Sequence, residues 1–276
     1  MFQPAIPLSG IGGWKFLQAT YSRQLESFTD SPQVRNDRDY MLDKLSQTMS
    51  VDDFMADRRL LRVTMTAFGL GGEEWKGGFI RKALEEVGDP ESTFLPRLNN
   101  PKYTKFAEAL SPIDGKIITS SSQRAKMAVN FEAESFRTAV GDVDDSMRLA
   151  LNYQSEIAEI AGKESSDKAI LYRILGDVPV RTVMQTAFNL PDGLSSLDLD
   201  RQADIFKEKI QSVLGVSDLS DLGTPEVTEK MIHRFLAMET IENGSTSYSS
   251  ASAALTLLSN GVGSQASQNL FLSLLS

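Results

Sequence analysis

The chain has 276 residues, enough for one large domain or two of ordinary size, and its 41% hydrophobic residues can supply a core. Its formal net charge of −9 argues against general nucleic-acid binding and against electrostatic docking on anionic lipid, because both of those surfaces are negative. The sequence contains no cysteine, which excludes disulfides, thiol chemistry and cysteine-based zinc sites.

Helical spacing of apolar residues begins after a short lead-in. Residues 1–13 contain two prolines and three glycines, which is typical of irregular backbone. Apolar positions from Trp14 to Phe28 predict a first helix, Pro32 is expected to interrupt, and the pattern from Val34 to Met49 predicts a second helix. The start lacks the features of a secretory signal, and no run approaches the roughly 20 apolar residues of a membrane-spanning helix. We therefore expect a cytoplasmic protein, or one exported without a cleaved signal peptide.

A short phrase occurs twice, 120 positions apart. Thr66–Leu70 reads Thr-Ala-Phe-Gly-Leu, and Thr186–Leu190 reads Thr-Ala-Phe-Asn-Leu. In the first copy Ser50 is expected to cap one helix that carries Phe54, Leu61, Met65 and Phe68 on one stripe. The spacing of the two copies predicts two related helical units.

The two copies predict the same helix ends. Asp177 before Val178-Pro179 is expected to cap a helix, and Asp57 occupies the matching position in the first copy. Gly69 and Asn189 lie at the far ends, where residues that tolerate left-handed backbone end helices.

Further helical patterns fill the rest of the chain and predict an all-α fold. Only the short run Ile117–Thr119 is a candidate strand. The expected organisation is a lead-in, a first helical unit, a second helical unit and a C-terminal segment, at residues 1–13, 14–120, 121–242 and 243–276. Within these units the remaining predicted helices cover residues 79–87, 103–110, 121–140, 144–161, 205–214 and 224–238.

The C-terminal segment, residues 243–276, has no charged residue and is rich in serine and leucine. Its apolar positions Leu270, Phe271, Leu274 and Leu275 have the i, i+1, i+4, i+5 spacing of one helical face. Two interpretations remain open. The segment could dock on the core of its own chain, or it could bind another copy or a protein partner through this apolar face.

The sequence contains few residues of the types most often used in catalysis and metal binding. His233 is the single histidine, and its position on the predicted helix places it toward solvent. The glycine-rich and acidic stretches do not match phosphate-binding or calcium-binding patterns. We therefore predict no catalytic, cofactor-binding or metal-binding residues, and Trp14 and Trp75 are each expected at an edge of the core.

A small basic cluster consists of Arg58, Arg59 and Arg62. Nearby acidic residues on the same helix, Asp53 and Asp57 among them, would explain it by intrahelical ion pairing. The alternative is that Arg58 and Arg59 contact a partner protein.

Two strings in the first copy, Asp-Arg-Arg-Leu-Leu at 57–61 and Ala-Phe-Gly-Leu at 67–70, are similar to a family of uncharacterised alphaproteobacterial proteins whose genes often sit among flagellar genes. The resemblance covers roughly residues 20–240. It implies an all-helical fold and a link to the flagellum, and it transfers no catalytic residues. The second copy departs from the pattern, since Val178–Arg181 replaces the Arg-Arg-Leu-Leu string.

Three functions remain open. The first is a non-enzymatic structural or assembly protein of the bacterial flagellum, which acts through contacts with flagellar components or with itself. The second is a cytoplasmic chaperone or regulator of a flagellar export substrate, which would fit the acidic surface. The third is an enzyme that uses carboxylates alone, and it would require a deep pocket that holds two carboxylates with perturbed pKa values.

Overall fold

A computed structural model describes residues 2–98, 100–163 and 166–244. Helices dominate this part of the chain, which confirms the predicted all-α class. The α-helices among these residues are α1 Gly10–Thr29, α2 Pro32–Leu45, α3 Val51–Ala56, α4 Arg58–Thr66, α5 Gly77–Glu86, α6 Phe94–Leu98, α7 Pro101–Leu110, α8 Ser121–Gly141, α9 Asp145–Lys163, α10 Asp167–Gly176, α11 Val178–Ala187, α12 Leu199–Lys209 and α13 Pro225–Gly244.

Two very short strands accompany the helices. Strand β1, Met49–Ser50, pairs antiparallel with β2, Lys116–Ile117, so that Met49 lies opposite Ile117. The predicted strand candidate at Ile117–Thr119 therefore overlaps β2 at one residue. Short 3-10 turns occupy Asp192–Ser196 and Leu219–Gly223, and a π-turn follows α12 at Ile210–Leu214.

Helix α9 lies at the centre of the molecule. It packs against α8, α11, α13 and the Leu219–Gly223 turn. Its inward face includes Met147, Tyr153 and Ile157, each fully buried. Residues of both predicted helical units, from Trp14 to Leu236, join one buried apolar cluster, while the division of the chain at residue 120 stays a prediction. Within the described ranges, every helix is too short or too polar to cross a bilayer.

Several helix boundaries differ from the predicted ones. Helix α1 begins at Gly10, so the end of the predicted lead-in is helical. Pro32 is the first residue of α2, a position that tolerates proline because its N–H would have no helical partner. Helices α6 and α10 were not predicted. Five residues are too few for α6 to show periodicity, whereas α10 does bury Ile170, Leu171, Ile174 and Leu175 at helical spacing.

The helices that lead into the two repeated phrases, α4 and α11, begin and end as predicted. The Oδ1 of Asp57 accepts a hydrogen bond from the Leu60 N–H at 2.9 Å, and the Oδ1 of Asp177 accepts one from the Val180 N–H at 3.0 Å. Gly69 and Asn189 have φ of 68° and 52°, which is left-handed backbone. These features confirm the predicted caps, while the larger claim of two related units stays a prediction.

The backbone after each phrase closes the helix in the same way. The Leu70 N–H donates to the Met65 carbonyl at 3.0 Å, and the Leu190 N–H donates to the Gln185 carbonyl at 3.0 Å. A bond that spans five residues around a left-handed residue is the Schellman arrangement, which satisfies carbonyls that the helix end leaves open.

The single helix predicted after Ser50 is wrong, because Asp57 breaks it into α3 and α4. The Asp57 N–H ends α3 by donating to the Asp53 carbonyl at 3.1 Å, while its side chain caps α4. Asp177 has the same double role between α10 and α11. Of the predicted stripe, Phe54, Leu61 and Met65 are buried, whereas Phe68 lies beyond the end of α4 and is partly buried.

Replacement of either capping aspartate by alanine should destabilise the fold. We expect Asp177→Ala to lower the free energy of unfolding by about 1 kcal/mol, the usual cost of a lost N-cap. Asp57→Ala should cost more, up to about 2 kcal/mol, because Asp57 also accepts a hydrogen bond from the Tyr40 hydroxyl at 2.6 Å. Urea denaturation of the two variants beside the wild type measures both values.

The pH dependence provides a control for Asp57. Burial opposes its ionisation, but hydrogen bonds from the Leu60 N–H and the Tyr40 hydroxyl outweigh burial and lower its pKa. A lowered folded-state pKa gives stability that is present at neutral pH and lost as pH falls below about 4. The stability gap between wild type and Asp57→Ala should therefore narrow in acid, and a gap that is unchanged down to pH 2 would contradict this assignment.

Candidate functional site

A groove with a volume of about 770 Å³ runs along one face of α9. Helix α9 forms its floor, while α6 and the start of α7 form one wall and the end of α10 with the start of α11 forms the other. The residues that line it include Gly69, Leu70, Glu73, Leu95, Leu98, Lys102, Thr104, Lys105, Glu156, Glu159, Ile160, Lys163, Tyr172, Arg173 and Asp177.

The floor has an unusual composition for a helix face between two walls. Glu156, Glu159, Ile160 and Lys163 follow i, i+3, i+4, i+7 spacing, so they lie on one face of α9. Apolar residues at these four positions would allow the neighbouring helices to pack directly on α9, but three of the four residues are charged. The seven residues of rise correspond to about 10 Å along the helix axis.

The end of the first repeated phrase meets the start of α11 at this groove. Gly69 and Leu70 line one side, and Gly176 to Pro179, which precede the second phrase, line the other. The left-handed turn at Gly69 and the capped start of α11 at Asp177 therefore help to shape the same surface.

Glu159 is held between two lysines. Its carboxylate forms ion pairs with Lys105 from the α7 wall and with Lys163 on α9, the latter at 3.0 Å. Burial alone would raise its pKa, but these two partners lower it overall. The pairing with Lys105 links α7 to α9 at this point of the groove.

Glu73 forms a second satisfied site on the same wall. It accepts a hydrogen bond from the Tyr103 hydroxyl at 2.6 Å and forms an ion pair with Lys76 at 2.9 Å. Burial would raise the pKa of Glu73, and these two donors lower it overall. In turn, burial and the neighbouring Glu73 carboxylate raise the pKa of Tyr103.

Glu156 differs from both, because no residue in the described ranges donates a hydrogen bond to its carboxylate. Burial is the main cause that raises its pKa, Asp177 adds to the rise, and Lys102 and Lys105 partly oppose it. A partly buried carboxylate without a donor is energetically costly. The sequence did not predict a role for Glu156, since a single glutamate in a helix is unremarkable until the positions of the neighbouring helices are known.

An exposed group of aromatic rings, which we call the aromatic shoulder, adjoins the groove. It consists of Trp75, 79% exposed, Phe79, 50% exposed, and Phe94, whose ring centroid lies 5.9 Å from that of Phe79. Phe94 begins α6, and the following residue, Leu95, already lines the groove. The prediction that Trp75 lies at a core edge is therefore wrong, because most of its side chain is exposed. Trp14 is buried, 2% exposed.

The basic cluster has a structural role different from the predicted one. Arg59 donates to the Asp37 carboxylate at 2.8 Å and lies over the Tyr40 ring, and Arg62 binds the other Asp37 oxygen at 2.8 Å. The pairing is therefore between α2 and α4, so the expectation of intrahelical pairs is wrong. Asp37 was missed because it precedes the cluster by more than 20 positions. Arg58 is exposed at the start of α4, outside the residues that line the groove.

Two further predictions concern the C-terminal part of the chain. His233 on α13 has a side chain that is 31% exposed, so it faces solvent only in part, and its Nε2 lies 3.3 Å from the Glu229 carboxylate. Packing of the long α13 against α9 and α11 covers more of its surface than a single stripe predicts. The predicted partner-binding residues Leu270, Phe271, Leu274 and Leu275 lie outside the described residues. Across residues 2–98, 100–163 and 166–244, acidic and histidine side chains form no group suited to a metal ion.

Comparison with known proteins agrees with the expected resemblance to an uncharacterised family. The chain is similar to the crystal structure of a protein from Agrobacterium tumefaciens, with a TM-score of 0.67 and 24% sequence identity over 87% of this chain and 99% of that one. This likeness shows the fold. No curated protein matches the chain.

The family model matched by the chain is described as a protein of unknown function, DUF1217, and it covers residues 67–228. That range includes the Ala67–Leu70 string, both walls of the groove, its floor and the aromatic shoulder. The Asp57–Leu61 string precedes it. Since the matched residues make up more than half of the sequence, the chain belongs to the DUF1217 family.

Proposed function

We propose that this protein is a non-enzymatic structural or assembly component of the bacterial flagellum, which binds a protein partner through the aromatic shoulder and the adjoining groove. The observation that carries this proposal is the exposure of Trp75 and Phe79 beside an open, mixed-charge groove. Exposed aromatic side chains grouped on a surface mark interaction sites, because burial of their large rings supplies much of the binding energy of interfaces.

The composition of the whole surface fits a protein partner. The groove combines apolar side chains, Leu95 and Leu98 in one wall and Ile160 in the floor, with charged groups of both signs. Such a mixture is typical of protein interfaces, in which an apolar centre supplies energy and polar groups supply specificity. The flagellar assignment is supported by the resemblance of Asp57–Leu61 and Ala67–Leu70 to proteins encoded among flagellar genes.

The chaperone alternative predicts the same surface but a different location. A chaperone would hold an export substrate in the cytoplasm and would be absent from assembled flagella. A structural or assembly protein would remain with flagellar components, whether it reaches them from the cytoplasm or by export. Localisation and partner identity therefore separate these two functions.

The expected result of a direct test is that the epitope-tagged full-length chain co-purifies with flagellar structures from its native bacterium. The double variant Trp75→Ser/Phe79→Ser should reduce this association at least about tenfold, because two central aromatic anchors are lost. The matched control is Val129→Ser, which alters an apolar side chain that is 64% exposed on α8.

The variants should accumulate to wild-type levels and melt within a few degrees of the wild type, since exposed or half-exposed side chains contribute little to folding. Absence of the wild-type chain from flagellar fractions, or retention of the double variant there, would overturn the proposal. Recovery of the chain only in the cytoplasm, bound to one flagellar export substrate, would favour the chaperone alternative.

A second candidate is an enzyme that uses carboxylates alone, since two carboxylates, Glu156 and Glu159, line the groove one turn apart. Glu156 has a raised pKa while Glu159, one turn away, has a lowered one, and carboxylates with opposed shifts can serve as acid and base. The ion pairs of Glu159 with Lys105 and Lys163 give its shift a structural cause as well. The test is to incubate the protein with a peptide that binds the groove and to analyse the peptide by mass spectrometry. Cleavage by the wild type but not by Glu156→Gln would support the enzyme. Recovery of the intact peptide would support binding without catalysis.

A further inference from the structure

We propose that the groove binds an extended segment of the partner protein, and that a lysine or arginine of this segment places its cationic group against Glu156. The inference rests on the proposed function only in that the partner is a protein. It names the part of that partner that binds and the chemistry that recognises it.

Among the residues that the structure describes, Glu156 has no hydrogen-bond or ion-pair partner, whereas its acidic neighbours in the groove have theirs. Glu73 is satisfied by Tyr103 and Lys76, and Glu159 is satisfied by Lys105 and Lys163. The Glu156 carboxylate faces the same groove without a donor from the described residues. A group that supplies N–H donors and positive charge would remove this cost, so the missing partner is cationic.

The lysines that line the groove do not bind Glu156. Lys105 and Lys163 bind Glu159. The Nζ of Lys102 lies beside the backbone of Gly69, where a methyl group added to the glycine would be 3.5 Å from it. Lys102 is near enough to lower the pKa of Glu156 but forms no bond with it, so it remains available to a carbonyl or carboxylate of the bound segment.

The length and shape of the groove fit a short extended segment. About 10 Å of floor between Glu156 and Lys163 matches about three residues of extended chain at roughly 3.3 Å each. Leu95, Leu98 and Ile160, each only partly buried, offer apolar contacts for the side chains on either side of the cation. The aromatic shoulder continues this surface beyond α6, which favours a protein segment over a small free amine.

The experiment begins with a randomised heptapeptide library displayed on phage and selected against the full-length chain. The enriched peptides should carry a lysine or arginine flanked by apolar residues. One such peptide, synthesised with blocked ends, and its Lys→Gln version are then titrated by calorimetry. We expect Glu156→Gln to weaken binding of the lysine peptide by about 10- to 100-fold and to leave the glutamine peptide nearly unchanged.

The matched control is Glu108→Gln, because Glu108 is exposed on α7 and does not line the groove. It should bind the lysine peptide as wild type does. Ile160→Arg, which fills the floor with a bulky cation, should abolish binding of both peptides. The melting temperature of each variant verifies that it is folded.

Selection of peptides without a basic residue, equal binding to wild type and Glu156→Gln, or failure to enrich any peptide would each overturn the inference. Free n-butylamine that binds as tightly as the peptide would also overturn it, since the segment would then contribute nothing. A positive result combined with absence from flagellar fractions would leave the groove assignment intact and reject the flagellar function. Association with flagellar fractions combined with a failure of the peptide experiment would reject only the proposed role of the groove.

Discussion

Replacement of Phe106 by alanine should lower the free energy of unfolding by about 3–5 kcal/mol, the usual cost of deleting a buried ring. Phe106 lies on α7 and is fully buried. Its ring centroid lies 5.7 Å from that of Phe68 in an edge-to-face contact and 6.3 Å from that of Phe54. The substitution would therefore leave a cavity where the end of the first repeated phrase packs on α7.

Denaturant unfolding of Phe106→Ala measures this loss, and Phe79→Ala provides a matched control. Phe79 is half exposed on α5, so its removal should cost about 1 kcal/mol or less. If both variants lost the same stability, the packing of α7 against the first phrase would not be as described. A loss near 4 kcal/mol for Phe106→Ala would consume a large part of the stability of an ordinary domain, about 5–15 kcal/mol.

Gly13→Ala should destabilise the protein, although alanine normally stabilises a helix relative to glycine by about 1 kcal/mol. Gly13 lies in α1, where a Cβ atom would sit 1.9 Å from the Leu8 carbonyl oxygen and 3.1 Å from the Met147 Cε. The backbone of Leu8 would have to move, and overpacking of this kind costs about 1–3 kcal/mol. The expected sign of the effect is therefore opposite to that of helix propensity.

The neighbouring residue gives the control for this prediction. A Cβ atom at Gly12 would meet only the Leu8 side chain at 3.5 Å or more, which is ordinary contact. Gly12→Ala should thus stabilise the chain by about 0.5–1 kcal/mol. Thermal unfolding of both variants measures the contrast, and stabilisation by Gly13→Ala would show that residues near Leu8 do not lie against α1 as described.

The sequence was sufficient for features set by neighbouring residues. Asp57 and Asp177 as caps, and Gly69 and Asn189 as left-handed ends, follow from local hydrogen bonding and backbone sterics, so their letters predict them. The apolar periodicity of α8 and α9 also predicts those helices, since burial of one face selects the period. Helix α6 was missed because one and a half turns leave no period to detect.

Features that join distant residues were not predictable in this way. Asp37 binds Arg59 and Arg62 across two helices, and a single sequence gives no measure of which distant acid approaches which base. From the sequence alone, Glu156 has the pattern of an ordinary solvated position of α9. Only the structure shows that α7 and α10 lie on either side of it. Tryptophan is usually found in or near the core, but in the structure the Trp75 side chain is exposed.

The most direct test of a protein-binding groove is site-specific photocrosslinking in living cells of the native bacterium. Benzoylphenylalanine in place of Thr104, which lines the groove, should give a crosslink to one flagellar protein, at a segment that contains a lysine or arginine. The same probe in place of Val129, which is 64% exposed on α8 and does not line the groove, should not. Equal products from both positions, or no flagellar product from Thr104, would contradict this account.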